Sequence, residues 1–287
     1  MHLPGNLPEI AAVVRTFGHD LAIEDVPVPT PGHGQALVKL ISTGVCHTDL
    51  HAVAGDWPVK PSPPFIPGHE GVGTVVALGE GITDLSVGDP LGNAWLCSAC
   101  GSCEYCQTGW ETLCEQQQNG DYSVNGAFSR YMLVDSRFAV RIPKGMDLVA
   151  VAPVLCAGVT VYKGLKMTEA KPGPWVVISG IGGLGHLAVQ YAKAMGLRVV
   201  AVDVADDKLA LARLHGAELT VNAMNEDPIE VIQREIGGTR KDMAEALDFF
   251  TLGLIHPTVT TRGLDEINVV FDEMKHGKID GRVVITY

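Results

Sequence analysis

Cys100, Cys103, Cys106 and Cys114 fall at C-x2-C-x2-C-x7-C spacing, and no other feature restricts the chain so tightly. Neighbouring disulfides need Cβ atoms brought within about 4.5 Å at a fixed dihedral, which cysteines crowded on one short loop do not offer cleanly. Four thiolates can instead close a tetrahedron around one Zn²⁺ at roughly 2.3 Å per Zn–S bond. The spacing also tolerates an iron–sulfur cluster or idle thiols. Four cysteine ligands leave no position for a substrate, so the cluster reads as a structural staple.

The remaining cysteines are Cys46, Cys97 and Cys156, giving seven in all. That odd number, with no charged-then-apolar leader in Met1-His2-Leu3-Pro4-Gly5, points to a reducing, cytoplasmic setting where thiols ligate metals or stay free. No apolar run approaches the roughly 20 residues a membrane span needs. A 46% hydrophobic content is enough to bury a core, and the length suits one large or two modest domains. The formal net charge of −12 argues against nucleic-acid and anionic-membrane partners.

From Ala11 to about Pro153, short β-rich runs alternate with Gly/Pro punctuation. The runs 36–41, 73–78 and 138–142 are separated by clusters such as Pro29-Thr30-Pro31-Gly32, a pattern that predicts a partly open β-barrel. Two segments within it carry chemical potential: Gly44-Val45-Cys46-His47-Thr48-Asp49-Leu50-His51 and Pro67-Gly68-His69-Glu70-Gly71. Cys156 follows at the far end. Two cysteines and a histidine with a fourth position open would define a catalytic zinc. Spacing alone does not separate that reading from buried core cysteines and a satisfied core histidine.

The next segment is more specific. Trp175–Ser179 is a nearly all-apolar strand, followed by Gly180-Ile181-Gly182-Gly183-Leu184-Gly185 and an amphipathic helix. A second apolar strand ends at Asp203. Strand, G-x-G-x-x-G, helix and a distal acid together form the dinucleotide fingerprint. Gly180 suits the tight turn, Gly182 lets backbone approach a pyrophosphate, and Gly185 lets helix and strand pack closely. The N–H groups of Gly183, Leu184 and Gly185 open the helix that would face the phosphates. Asp203 would bind the adenosine ribose and repel a 2′-phosphate, which favours NAD over NADP.

With these segments in view, the chain resembles the zinc-dependent medium-chain alcohol dehydrogenases, nearest the microbial NAD-linked branch. The resemblance rests on G-V-C-H-T-D-L-H, P-G-H-E-G-V-G, C-G-S-C-E-Y-C-x7-C, L-C-A-G-V-T-V-Y-K and G-I-G-G-L-G. It implies an α/β fold: a GroES-like catalytic domain over 1–155, a Rossmann domain over 156–251 and a C-terminal return over 252–287. It implies two zinc ions, NAD, a small primary alcohol or aldehyde as substrate, and a homo-oligomer. Cys46, His69 and Cys156 would hold the catalytic zinc, with Asp49 behind His69 and Glu70 behind the metal. Thr48 would touch the substrate hydroxyl and His51 would end a proton relay. His47 would contact the pyrophosphate, Thr160 the nicotinamide, and Lys208 the ribose beside Asp203. Arg240 and Arg282 would reach cofactor phosphate. Trp57 and Trp95 would narrow the substrate pocket, and Cys97 matches no ligand position. The same enzyme class acting on a secondary alcohol, a polyol or a formaldehyde adduct is the nearest alternative.

One part of that pattern is missing. A six-stranded Rossmann sheet needs two βαβαβ halves. Here Leu219–Asn222 reads as a third strand and Pro228–Ile236 as its helix, after which Gly237-Gly238 runs directly into Thr239-Arg240-Lys241-Asp242. Relatives of this type carry roughly 55–60 further residues there, enough for the other half-sheet. The Rossmann domain is therefore expected to be truncated, with a catalytically impaired zinc-binding remnant as the competing function.

Overall fold

The computed structural model describes residues 8–236 and 240–286, which fall into two compact units, one ending at Met224 and one beginning at Asn225. The first unit opens with a hairpin of β1 (Pro8–Val13) and β2 (Ala22–Pro27). Beside it lies a five-stranded antiparallel sheet built on β3 (Gln35–Thr43) and β4 (Gly71–Leu78), the two joined through the helix α1 (His47–Ala54). Its other strands are β5 (Pro90–Gly92), β8 (Tyr131–Asp135) and β9 (Val140–Arg141), in the order β8-β3-β4-β5-β9. A small ribbon of β6 (Leu96–Ser98) and β7 (Gln118–Asn119) frames the cysteine loop, which carries the one-turn helix α2 (Glu104–Gln107).

Register shifts between Leu37 and Val38 and between Leu40 and Ser42 interrupt the β3–β4 ladder. Such irregularities bend a strand and increase its twist, which curls this sheet into the expected half-barrel. Val38, Val75, Leu91, Met132 and Val134 fill its interior. A neighbouring cluster of Val72, Ile142, Val151, Ala152 and Leu155 locks the segment before Cys156 onto the sheet. Truncating one such buried leucine costs roughly 2–5 kcal/mol, so the position of Cys156 is firmly set.

The helix α3 (Ala157–Met167) leads to β10 (Trp175–Ser179), α4 (Gly185–Ala194), β11 (Arg198–Asp203), α5 (Asp206–Leu214) and β12 (Leu219–Asn222). The three strands form one parallel sheet in the order β10-β11-β12. β11 is central, with Val199, Val200 and Ala201 fully buried, while Val177 on β10 is 46% exposed. The expected three-stranded half-sheet is present, and among the described residues β10 pairs only with β11.

The second unit holds α6 (Pro228–Ile236), α7 (Arg240–Thr251), β13 (Val259–Gly263), α8 (Ile267–Lys275) and β14 (Arg282–Thr286). β13 and β14 pair in parallel across α8 and make a sheet of two. Among the described residues no helix is long and apolar enough to cross a membrane.

Candidate metal centre

Cys46 stands where β3 ends and α1 begins. Its backbone is extended, and its N–H donates to Asp49 Oδ2 at 2.7 Å, so a side chain from the first turn caps the helix. Cys156 stands at the start of α3, just behind the Leu155 anchor. His69 and Glu70 lie immediately before β4, both buried. These elements bring the donor atoms of Cys46, His69, Glu70 and Cys156 within 4.8 Å of one another. Gly44 makes room for Glu70, because a Cβ at that position would fall 1.6 Å from Glu70 Oε2.

The donor geometry fits a metal ion. The Cys46 and Cys156 sulfurs are 4.0 Å apart, and two thiolates in a zinc tetrahedron are separated by about 3.8 Å. His69 Nε2 is buried and has no hydrogen-bond partner, which is costly unless an ion takes its lone pair. Its Nδ1 faces Asp49 Oδ1 at 2.9 Å and Asp121 Oδ2 at 3.0 Å. Burial would by itself lower the pKa of His69, but hydrogen bonds to Asp121 and Asp49 outweigh it and drive the value upward. Burial is also the main force on Asp49, yet its bonds from His69 and the Cys46 N–H help leave it below the usual carboxylate range. Burial raises Glu70 and pushes Asp121 up to about 7.

The aromatic wall beside this centre contains both expected tryptophans. Trp95 meets the His69 ring edge-on, with centroids 5.7 Å apart, and Trp57 meets Trp95 at 5.8 Å. Tyr122 packs on both, at 5.2 Å from Trp57 and 5.8 Å from Trp95. Asp121 and Tyr122 were not singled out in the sequence, and no spacing rule marks them. Thr48 is half-buried on α1, while His51, one turn on, bonds through Nδ1 to Asp56 Oδ2 at 3.0 Å near the surface. His47 lies on the exposed face of the same turn, with its ring 6.4 Å from that of His51.

The second cluster is different in kind. Cys100, Cys103, Cys106 and Cys114 bring their sulfurs within 4.8 Å of one another, with 3.5 Å between Cys103 and Cys106. N–H groups of Ser102 and Cys103 point at Cys100 Sγ, and they hold that thiol down to about 6, ready to ionise. All seven cysteines are free of disulfides. Cys97 is buried apart from both clusters, in the wall of a cavity of about 640 Å³ that also includes Glu9, Phe65 and Met132. That cavity contains none of the candidate ligands.

The glycine loop sits between β10 and α4. Gly185 is sterically required, since a Cβ there would fall 1.8 Å from the Gly180 carbonyl oxygen. A Cβ on Gly182 or Gly183 would meet nothing within 4 Å, so the space over the loop is open. Leu184 caps α4. Asp203 Oδ2 accepts from the Ile181 N–H at 2.6 Å, and Oδ1 accepts from Val204 and Ala205. The Ile181 bond is the main reason its carboxyl lies below the usual range, with exposed Lys208 adding a smaller attraction. Thr160 is exposed one turn along α3 from Cys156, whose carbonyl accepts its N–H. Arg282 is exposed on β14 in the second unit, and the side chain of Arg240 lies outside the described residues.

Comparison with known proteins agrees with this arrangement. The family described as "Alcohol dehydrogenase GroES-like domain" matches residues 32–144, and "Zinc-binding dehydrogenase" matches residues 183–247. An alcohol dehydrogenase of Moraxella sp. (strain TAE123) is 52% identical over 334 residues, covering 96% of this chain and 99% of that protein. One from Rhizobium meliloti (strain 1021) is 48% identical over 332 residues, covering 96% and 98%. The crystal structure of the alcohol dehydrogenase of Aeropyrum pernix superposes with a TM-score of 0.71 at 29% identity, covering 97% of this chain and 100% of that one. The acetophenone reductase of Geotrichum candidum, solved in complex with NAD, gives a TM-score of 0.70 at 28% identity, covering 100% and 99%. The Moraxella alignment is longer than the chain itself: 96% of 287 residues is about 276, so roughly 58 of its 334 positions lack a counterpart here. That shortfall is of the length expected for the other half-sheet.

Proposed function

The chain belongs to the zinc-dependent medium-chain alcohol dehydrogenase family, and from that premise we propose that it moves a hydride between NAD(H) and a small primary alcohol or its aldehyde. The observation that carries the reading is the buried, partnerless Nε2 of His69 facing two thiols 4.0 Å apart. Three protein ligands leave one position for substrate. When bound, the zinc polarises the alcohol oxygen and acidifies its proton, and NAD⁺ accepts the hydride.

The remaining roles fall to the chain. Cys46, His69 and Cys156 hold the ion, and Asp49 fixes the His69 ring by accepting from Nδ1. Thr48 takes the hydroxyl proton and passes it toward His51, whose bond to Asp56 keeps the imidazole at the protein surface. Glu70 stands behind the ion as an exchangeable carboxylate. Trp57, Trp95 and Tyr122 confine the substrate to a short chain. On the cofactor side, Gly180, Gly182, Gly183, Leu184 and Gly185 present the loop and helix start to the pyrophosphate, which His47 also contacts. Asp203 receives the ribose with Lys208 beside it, and Thr160 braces the nicotinamide. The free thiols suit a reducing cytoplasm, and β10, which among the described residues pairs only with β11, offers an edge for self-association.

A second reading is favoured by one observation, the three-stranded sheet. A chain that keeps both metals but lacks the strands beyond β10 would hold nicotinamide poorly and turn over slowly. One assay separates the two: protein loaded with two zinc ions, mixed with NAD⁺ and ethanol, and followed at the reduced-nicotinamide absorption band. Sustained turnover supports the dehydrogenase, with NADP⁺ a much weaker substitute. Full zinc loading without a signal supports the impaired remnant.

A further inference from the structure

We propose that Asp121 is a positioning residue for the catalytic metal, a second carboxylate that braces the His69 imidazole at the expense of fold stability. The inference rests on reading Cys46, His69 and Cys156 as ligands. Asp121 lies just after β7, fully buried, with φ at +71°. A left-handed backbone is free for glycine and strained for an aspartate. Burying a carboxyl group costs more unless its oxygens find donors. Asp121 Oδ1 has none, and Oδ2 has only His69 Nδ1 at 3.0 Å.

Asp49 already satisfies that nitrogen at 2.9 Å, and its own second oxygen is anchored by the Cys46 N–H. One N–H thus faces two buried carboxylates. For folding alone Asp121 is a liability on three counts: backbone, burial and a like-charged neighbour. Its one gain is at His69. Two carboxylates held at Nδ1 resist rotation of the ring and keep Nε2 with the two sulfurs. They also add electron density to the donor nitrogen, as partners of ligating histidines do elsewhere. Tyr122, the next residue, packs against Trp57 and Trp95, so the same turn that delivers Asp121 also sets the aromatic wall.

The test compares the zinc-loaded full-length chain with D121G and D121N in a chelator titration, counting metal retained per chain, alongside thermal unfolding. Glycine suits the left-handed backbone and removes the carboxyl group, whereas asparagine keeps an acceptor oxygen without the charge. The expected result is that D121G releases one zinc at roughly 10–100-fold lower chelator concentration, with D121N between it and the wild type. The zinc of the Cys100–Cys114 cluster stays unmoved, and chelated D121G melts higher than the chelated wild type. Unchanged release in D121N, or parallel loss from both sites, would overturn the role, even if D121G failed to fold. A wild-type chain holding a single zinc would remove the ligand assignment and this role with it, whereas two zincs released at the same midpoint in every variant would remove the role alone.

Discussion

The thiols of Cys100, Cys103, Cys106 and Cys114 are mostly half-buried on an exposed loop and answer to backbone N–H groups, whereas Cys46 and Cys156 share their site with a buried imidazole held by two carboxylates. Four equal donors saturate an ion and leave it nothing to do but pin the loop. Three donors with a carboxylate in reserve leave a position open, and there the ligand's direction matters for chemistry. Accordingly buried charge serves orientation at the Cys46–His69–Cys156 cluster and not at the four-cysteine one. Supporting groups behind a ligand thus distinguish a reactive metal site from a staple.

The sharpest way to break this comparison is to remove a ligand from each side. Cys46→Ala should cost about 4 kcal/mol of transition-state stabilisation, roughly 1,000-fold in kcat/KM, while the unfolding temperature and the other zinc stay close to wild type. If the two sites were equivalent, its effect would be on stability instead. Cys103→Ser should do the reverse: lose the staple's metal and on the order of 3 kcal/mol of stability, about a quarter of a structural zinc site's worth, measured by thermal unfolding. Gly185→Ala drives a methyl group against the Gly180 carbonyl oxygen and should raise the KM for NAD⁺ with a stability loss of about 1–3 kcal/mol, leaving both metals bound.

The smallest expected effect is at Asp203. Replacing it with asparagine weakens the acceptor for Ile181 N–H and the ribose and should narrow the NAD⁺ over NADP⁺ preference about tenfold, read as a ratio of kcat/KM values. The folded-state pKa of Asp203 is depressed, so its contribution to stability is complete above the unfolded carboxylate value, about pH 4, and is lost only as pH falls through the lower folded value. The wild type should therefore be more stable than this variant at neutral pH, and the difference should vanish as the pH falls below the folded value.

Motifs made the two clusters and the glycine loop legible, because their chemistry demands fixed residue types at short spacing. Helix periodicity and apolar strands likewise placed β10, β11 and β12 within a residue or two. Asp121 and Tyr122 were invisible for the opposite reason. They reach His69 through the pairing of β6 with β7 and a turn in space, and nothing local in Gly120-Asp121-Tyr122 records that destination. The parallel pairing of β13 with β14 is similarly non-local, joining residues on either side of α8. The truncated sheet was read from a strand count, and the roughly 58 unmatched positions in the Moraxella alignment give it a length.

Native mass spectrometry of the wild type beside Cys46→Ala, both purified in zinc, tests the division of labour most directly. Two zinc ions in the wild type and one in the variant, with matching thermal unfolding, is the predicted result. Equal metal content in the two proteins, or a variant that loses its fold along with its zinc, would contradict the account.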